Sequence, residues 1–206
     1  MPAFPHRIHL PAGPSDHTAT GQSGSDVVLR RVGTGDLGAL VEFYNGLSEQ
    51  SKRMFRPLGP QTTLECCADI IRDNDAAIDA KLDLVAVEAP RSGCSSERAQ
   101  SRIVGWGFLW GLQSEEPSFG LCVADAYHGR GLGSALMDRV LEAARQRGVQ
   151  RIGLTVVQDN EKACQMYARR GFVRSEAFIG SDGLPYYRMA AELAGAGERM
   201  SQAKPL

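Results

Sequence analysis

No stretch of this chain is long and apolar enough to cross a membrane, and basic residues are not in surplus. The 23 Lys and Arg stand against 24 Asp and Glu, a formal net charge of −1. The first absence excludes a spanning helix, which needs about 20 consecutive apolar residues. The second argues against a nucleic-acid binder, whose phosphate contacts draw on a basic face. Met1 to Asp26 lacks the apolar core of a secretory signal. Cysteine is sparse and unordered: Cys66, Cys67, Cys94, Cys122 and Cys164 form an odd set without framework spacing. That excludes a disulfide-stapled fold and fits reduced thiols in the cytoplasm. Adjacent Cys66 and Cys67 lack the spacing of metal ligands and lie in a helical pattern, so they read as helix packing. His6, His9 and His17 are scattered through a segment rich in Pro, Gly, Ser and Thr and read as solvated. No metal site is expected.

What is present concentrates in one segment. The apolar run Phe119 to Val123 ends in a short Asp/Tyr/His turn, and His128-Gly-Arg-Gly-Leu-Gly133 follows. An amphipathic stretch, Ala135 to Arg147, comes next, making a strand, a glycine loop and a helix. Glycine lets main-chain N–H groups approach a ligand with no Cβ in the way. The helix N-terminus adds unpaired donors and about half a positive charge. Such a loop is built to hold an anion, and a pyrophosphate suits it best. It is not a P-loop, because Ser134 follows Gly133 where a lysine is required. Nor is it a dinucleotide fingerprint: the spacing is Gly-x-Gly-x-Gly, and Gln150 to Gly153 holds no acid.

The remaining pattern describes one α/β domain over residues 26–191, with an N-terminal tail (1–25) and a C-terminal tail (192–206) of low periodicity. Strands are expected at Val27 to Val32, Leu82 to Ala89, Ile103 to Leu112, Phe119 to Val123 and Ile152 to Val157. Phe172 to Ile179 and Pro185 to Ala190 form a closing hairpin around Ser181-Asp-Gly183. Thr34 or Asp36 caps a first helix with Leu37, Leu40, Val41 and Tyr44 on one face. Gly46 to Ser51 breaks the pattern. Thr62-x-x-Glu65 reads as a capping box opening a second helix with Leu64, Ala68 and Ile71 inward. Pro90 to Arg102 is a polar loop. Asp159 or Asn160 caps a helix running to Arg170. The order β-α-α-β-β-β-α-β-α-β-β implies a mixed sheet.

His128-Gly-Arg-Gly-Leu-Gly133 resembles the Arg/Gln-x-x-Gly-x-Gly/Ala loop of the GNAT superfamily of acyl-CoA-dependent N-acyltransferases. Asn160, Lys162, Ala163, Tyr167, Gly171 and Phe172 resemble that family's second block, Asn-x-x-Ala-x-x-x-Tyr-x-x-x-Gly-Phe. Arg30 with Asp36 is similar to its usual beginning. One departure is His128, where the family most often has Arg or Gln. The resemblance implies a mixed, mostly antiparallel central sheet of six or seven strands flanked by about four helices, with two strands splayed around the cofactor arm. It implies acetyl-CoA as co-substrate, no metal, and an amine acceptor: a small molecule, a protein lysine or an N-terminus. A homodimer is compatible with it. The segment Leu47 to Pro57 resembles one found in several GNAT members, including some that acetylate protein lysines, but does not identify the acceptor.

On this reading Leu121, Cys122 and Val123 pair with the pantetheine arm like an added strand. His128, Gly129, Arg130, Gly131, Leu132, Gly133 and Ser134 hold the pyrophosphate, with Arg130 adding charge. Asn160 and Lys162 belong to the cofactor side, and Asn160 can equally cap its helix. Tyr167 is expected to give the departing thiolate its proton; its bland alternative is packing against the sheet. An alkyl amine is neutral in only about one molecule in two thousand at pH 7, so a base is sought. Glu116, beside Glu115, is the candidate, against the alternative of a solvated pair at a strand start. Trp106, Phe108 and Trp110 share a strand face and suit either an acceptor pocket or the core. The competing function is a non-catalytic acyl-CoA sensor or scaffold; a longer acyl donor is a further variant.

Overall fold

The computed structural model describes residues 4–12, 24–55, 57–74, 80–89 and 102–193. An eight-stranded sheet forms its centre: β1 (His6–Leu10), β2 (Ser25–Arg31), β3 (Lys81–Glu88), β4 (Ile103–Trp110), β5 (Ser118–Val123), β6 (Arg151–Val157), β7 (Val173–Ile179) and β8 (Pro185–Glu192). Five helices cover it: α1 (Leu37–Asn45), α2 (Glu49–Met54), α3 (Leu64–Asp73), α4 (Leu132–Gln146) and α5 (Glu161–Ala168). The strand order is β1-β2-β3-β4-β5-β6-β8-β7, antiparallel throughout except between β5 and β6. The architecture is the mixed, mostly antiparallel one expected, with one strand and one helix more than the upper expectation.

The extra strand lies inside the stretch read as a tail. His6, Ile8 and Leu10 alternate with Arg7 and His9, Leu10 is buried, and Phe4 and Ile8 pack on the core. Five residues of period-two alternation flanked by prolines give too weak a local pattern to stand out, and pairing with β2 supplies the rest. The extra helix is α2, which begins inside the stretch read as a break and runs three residues beyond it. Its N-cap is Ser48, whose side chain accepts from the Ser51 N–H.

Two cores form, one on each face. One joins α4 and α5 to the sheet through Leu132, Leu136, Met137, Val140, Cys164 and Tyr167. The other joins α1 and α3 through Leu40, Phe43, Tyr44, Cys67, Ile70 and Trp106. The inward face of α3 is therefore shifted from the expected one: Cys67 and Ile70 are buried, while Leu64 is 58% exposed. The cap is Thr63 rather than Thr62, accepting from the Cys66 N–H. Two consecutive threonines leave that register undetermined in the sequence. Trp106 and Phe108 are core residues, not pocket lining, and Phe108 and Trp110 are stacked with ring centroids 4.0 Å apart. Both indole N–H groups donate to buried Asp83, at 2.8 Å from Trp106 and 3.1 Å from Trp110. Burial pushes the Asp83 carboxyl up to about 7 against the lowering influence of those two bonds. Arg30 and Asp36 form a two-pronged ion pair at 2.6 and 2.7 Å that fixes the entry to α1.

Candidate active site

The site is organised by β5. Its edge toward β4 pairs at every residue from Ser118 to Val123, whereas its edge toward β6 pairs only at Ser118↔Gly153. Beyond that bridge the strands part. The Gly153 N–H donates to the Pro117 C=O, and the Ala124 N–H donates to the Val104 C=O. Main-chain groups alternate sides along a strand. Phe119, Leu121 and Val123 therefore turn their main-chain groups away from β4, the Phe119 N–H closing the bridge on the Gly153 C=O and the groups beyond it facing the gap, while those of Gly120 and Cys122 face β4.

The closed end of the gap is tied by an ion pair. Glu116 accepts from Arg151 Nε at 2.5 Å, and Arg151 also holds Glu192 at 2.8 Å. Glu116 also lies over Gly153, where a methyl group would overlap its carboxylate. This geometry gives the expectation of Glu116 as the base no support. Glu116 sits on the paired side of the divergence, and its carboxylate is committed to a guanidinium.

The open end is spanned by α2. Asp125, just past β5, accepts from the Ser48 N–H and from the Ser48 and Ser51 hydroxyls at 2.6 to 3.0 Å. Arg53, at the other end of α2, makes a two-pronged pair with Asp159, just past β6, at 3.2 and 2.8 Å. Burial alone would raise the Asp125 carboxyl, but its serine bonds outweigh that and hold it below the usual range. No local sequence signal joins Arg53 to Asp159: the partners lie 106 residues apart.

The glycine loop follows at the mouth of the gap. Gly129 (φ 74°) and Gly131 (φ 85°) both take the left-handed conformation, and nothing lies within 4 Å of where a Cβ would stand at either. Gly131 is the N-cap of α4, which starts at Leu132, one turn before the expected Ala135. Gly133 and Ser134 thus belong to the first helical turn. That turn's N–H groups have no acceptor within the helix, and Gly131 has no side chain to cap them. Gly133 faces Leu121 and Val123 at 3.7 Å and Met166 of α5 at 4.0 Å, measured to an added Cβ. Loop, strand and second block therefore meet at one point.

Two loop side chains bind back onto the fold. His128 Nε2 lies 2.8 Å from the Val123 C=O; a carbonyl only accepts, so Nε2 carries the proton. Val123 thus offers the gap its N–H, while its C=O is already engaged. Arg130, 6% exposed, donates from Nε to the Pro11 C=O at 2.7 Å and from Nη2 to Ser25 Oγ at 3.1 Å. Its guanidinium carbon is 4.8 Å from the Tyr127 ring centroid.

Across the gap, Asn160 caps α5, accepting from the Ala163 N–H at 3.2 Å, and Lys162 is exposed on the first turn. Tyr167 lies in the core, edge-on to Phe119 with centroids 6.1 Å apart and against Phe172 at 5.9 Å. Phe119 is the first β5 residue beyond the single bridge, so Tyr167 stands at the vertex of the divergence. Burial, with Cys164 and Cys122 nearby, pushes its phenol up, so it stays protonated. Burial and Asp125 push the Cys122 thiol up to about 12, which keeps it from acting as a nucleophile near neutrality. Among the described residues no cluster of His, Cys, Asp and Glu has metal-binding geometry. No described helix is long and apolar enough to cross a membrane.

Comparison with known proteins places these features. Residues 63–172 match the Acetyltransferase (GNAT) family, a span that contains β5, the glycine loop and the second block. An uncharacterized N-acetyltransferase of Mycobacterium tuberculosis (strain H37Rv) is 36% identical over 84 residues, 40% of this chain and 54% of that protein. The chain spans about half the length of the curated relatives it matches first. Among solved structures, the GNAT domain of S. lividans PAT superposes with a TM-score of 0.63 at 23% identity, covering 82% of this chain and 92% of that one. A spermidine N-acetyltransferase from Vibrio cholerae, solved with CoA and spermine, gives 0.63 at 19% identity, covering 81% and 95%. At these identities the structural likeness concerns the fold.

Proposed function

The chain belongs to the acetyltransferase (GNAT) family, and on that premise we propose that it moves an acetyl group from acetyl-CoA to a primary amine by direct attack in a ternary complex. The acceptor is an amine of a small molecule or a protein lysine or N-terminus. The observation that carries this reading is the single β5–β6 bridge at Ser118↔Gly153, with a left-handed glycine loop at the open end and Tyr167 at the vertex.

The residues present fit the coenzyme. The N–H groups of the first α4 turn and the open space at Gly129 and Gly131 suit a diphosphate. The C=O of Phe119, the main-chain groups of Leu121 and the N–H of Val123 suit an amide-bearing arm added as a strand. Acetyl-CoA supplies the activated acyl group; the amine nitrogen bonds to the acyl carbon and the carbon–sulfur bond breaks. Tyr167, kept protonated by burial, gives its proton to the leaving sulfur, and the proton shed by the acylated nitrogen passes through solvent to restore the phenol. A covalent cysteine route is disfavoured by the raised Cys122 thiol.

Glu116 being paired, the acceptor reacts as the free amine already present in solution. With a lysine-like acceptor, kcat/KM should rise about tenfold per pH unit below the amine's pKa near 10.4. A plateau near pH 7 would reveal a base within the protein. The test of the reading itself is calorimetric uptake of acetyl-CoA, followed by release of free CoA thiol against a panel of small amines and peptides. Uptake with thiol release is expected. Uptake without release on any acceptor would favour the second reading, a non-catalytic acyl-CoA sensor, which the absence of an assigned base supports. No uptake would defeat both.

A further inference from the structure

Arg130 is the buried residue in an exposed turn. His128, Gly129 and Gly131 around it are exposed, yet its own side chain is 6% exposed. Left-handed glycines on both sides, at φ 74° and 85°, let the chain reverse so that this one side chain goes inward. Its partners are neutral: the Pro11 C=O just past β1, Ser25 Oγ at the start of β2, and the face of Tyr127. Tyr127 is in turn pinned, its hydroxyl donating to Glu88 at the end of β3. The charge therefore sits behind the loop's main-chain donors, with no anionic partner among the described residues. A buried charge of that kind is costly until a counter-charge approaches, and an anion held on the loop is positioned to be one.

We propose that the β1–β2 strand pair clamps the coenzyme loop, with Arg130 as the positioning residue that carries the clamp. The proposal rests on the coenzyme reading above and adds to it. The N-terminal strand belongs to the cofactor site although it touches no reacting atom. Arg130 acts by holding Gly129 and Gly131 in place and by placing positive charge behind the diphosphate, rather than by reaching out to a phosphate oxygen. Preorganised donors hold an anion better than donors that must be ordered on binding.

The experiment compares Arg130→Ala, Arg130→Lys, Ser25→Ala and the double variant Arg130→Ala/Ser25→Ala in the full chain. It measures acetyl-CoA KM, acceptor KM, kcat, and the Kd of CoA by calorimetry, with circular dichroism to confirm folding. Arg130→Ala is expected to raise the acetyl-CoA KM and the CoA Kd about tenfold or more. The acceptor KM and kcat should move less than about twofold. Arg130→Lys should recover part of the loss. Ser25→Ala, remote from the anion, should raise the CoA Kd about threefold, and should add little on the Arg130→Ala background.

A loss with Arg130→Ala that Ser25→Ala does not share would assign Arg130 to direct phosphate contact and overturn the clamp. An unchanged CoA Kd in Arg130→Ala would overturn the clamp as well. Where Arg130→Ala does not fold, Arg130→Lys and Ser25→Ala decide the question by the same two comparisons. Wild-type protein that takes up no CoA would instead defeat the coenzyme reading, a result these variants do not produce.

Discussion

The two edges of β5 are made by the same six residues and behave oppositely. Toward β4 all six pair, with Trp106 opposite Cys122 and Phe108 opposite Gly120. Toward β6 the ladder stops after Ser118. The paired edge is zipped by bulky side chains on both faces: a methyl group at Gly120 would clash with Phe108, and one at Gly105 would crowd Leu136. The open edge is bounded at its two ends, by the Glu116–Arg151 tie at the closed end and by α2, strung between Asp125 and Asp159, at the open one. A gap in a sheet, with its backbone polar groups unpaired, is costly unless something else satisfies them. Here the open N–H and C=O groups line the path proposed for the coenzyme.

This contrast can be broken in steps of falling size. Gly131→Glu places a carboxylate and a strained left-handed residue at the anion site, and should abolish CoA binding by calorimetry while the circular dichroism spectrum persists. Retained CoA affinity would separate the loop from the open edge altogether. Tyr167→Phe should lower kcat about tenfold or more with CoA affinity within about twofold. Unchanged turnover would leave Tyr167 a core residue only. Glu116→Gln cuts the tie at the closed end. Because the pair is partly exposed, a cost of about 1 kcal/mol or less in stability is expected, with kcat/KM retained. A thousandfold fall in kcat would restore Glu116 as the base. Gly133→Ala should be milder still, since its added methyl meets Leu121 and Val123 at an ordinary 3.7 Å.

Behind the paired edge, on β3, Asp83 offers a pH signature. Its carboxyl is raised from 3.8 to about 7 in the folded chain, so the folded state holds a proton that the unfolded state has released between those values. Its contribution is fully present below about pH 4 and is lost as pH rises toward and through 7. Melting temperatures of wild type and Asp83→Asn, compared from pH 5 to 8, should show wild type losing ground to the variant as pH rises. Parallel curves would mean that Asp83 titrates as an ordinary carboxyl.

The parts legible in the sequence are those whose information is local. The strand–glycine loop–helix segment is read correctly because alternating glycines and an apolar run determine their own geometry; only the start of α4 moves, by one turn. Asn160 is recognisable as a cap for the same reason, and Arg30 with Asp36 lies six residues apart on one turn. The surroundings of Glu116 are not legible, because closeness along the chain to β5 does not say which end of the gap is open or that Arg151 lies beside it. Strand β1 is missed because an edge strand's stability comes from its partner, not from its own composition. The tail expectations over 1–3, 13–23 and 194–206, most of the loop from Pro90, Cys94 and His17 lie outside the described residues.

By itself the sequence determined the local pieces: a glycine-rich turn running into a helix, a capped helix with a tyrosine seven residues on, and a near-even charge balance. Such features follow from backbone freedom, capping and composition, which act within a few residues. Only the tertiary structure decided which groups share the gap. It turned Arg130 onto Pro11 and Ser25, gave Glu116 to Arg151, and stretched α2 from Asp125 to Asp159. Those partners lie 35 to 119 residues apart, and pairings at that range are chosen by the packing of the whole sheet.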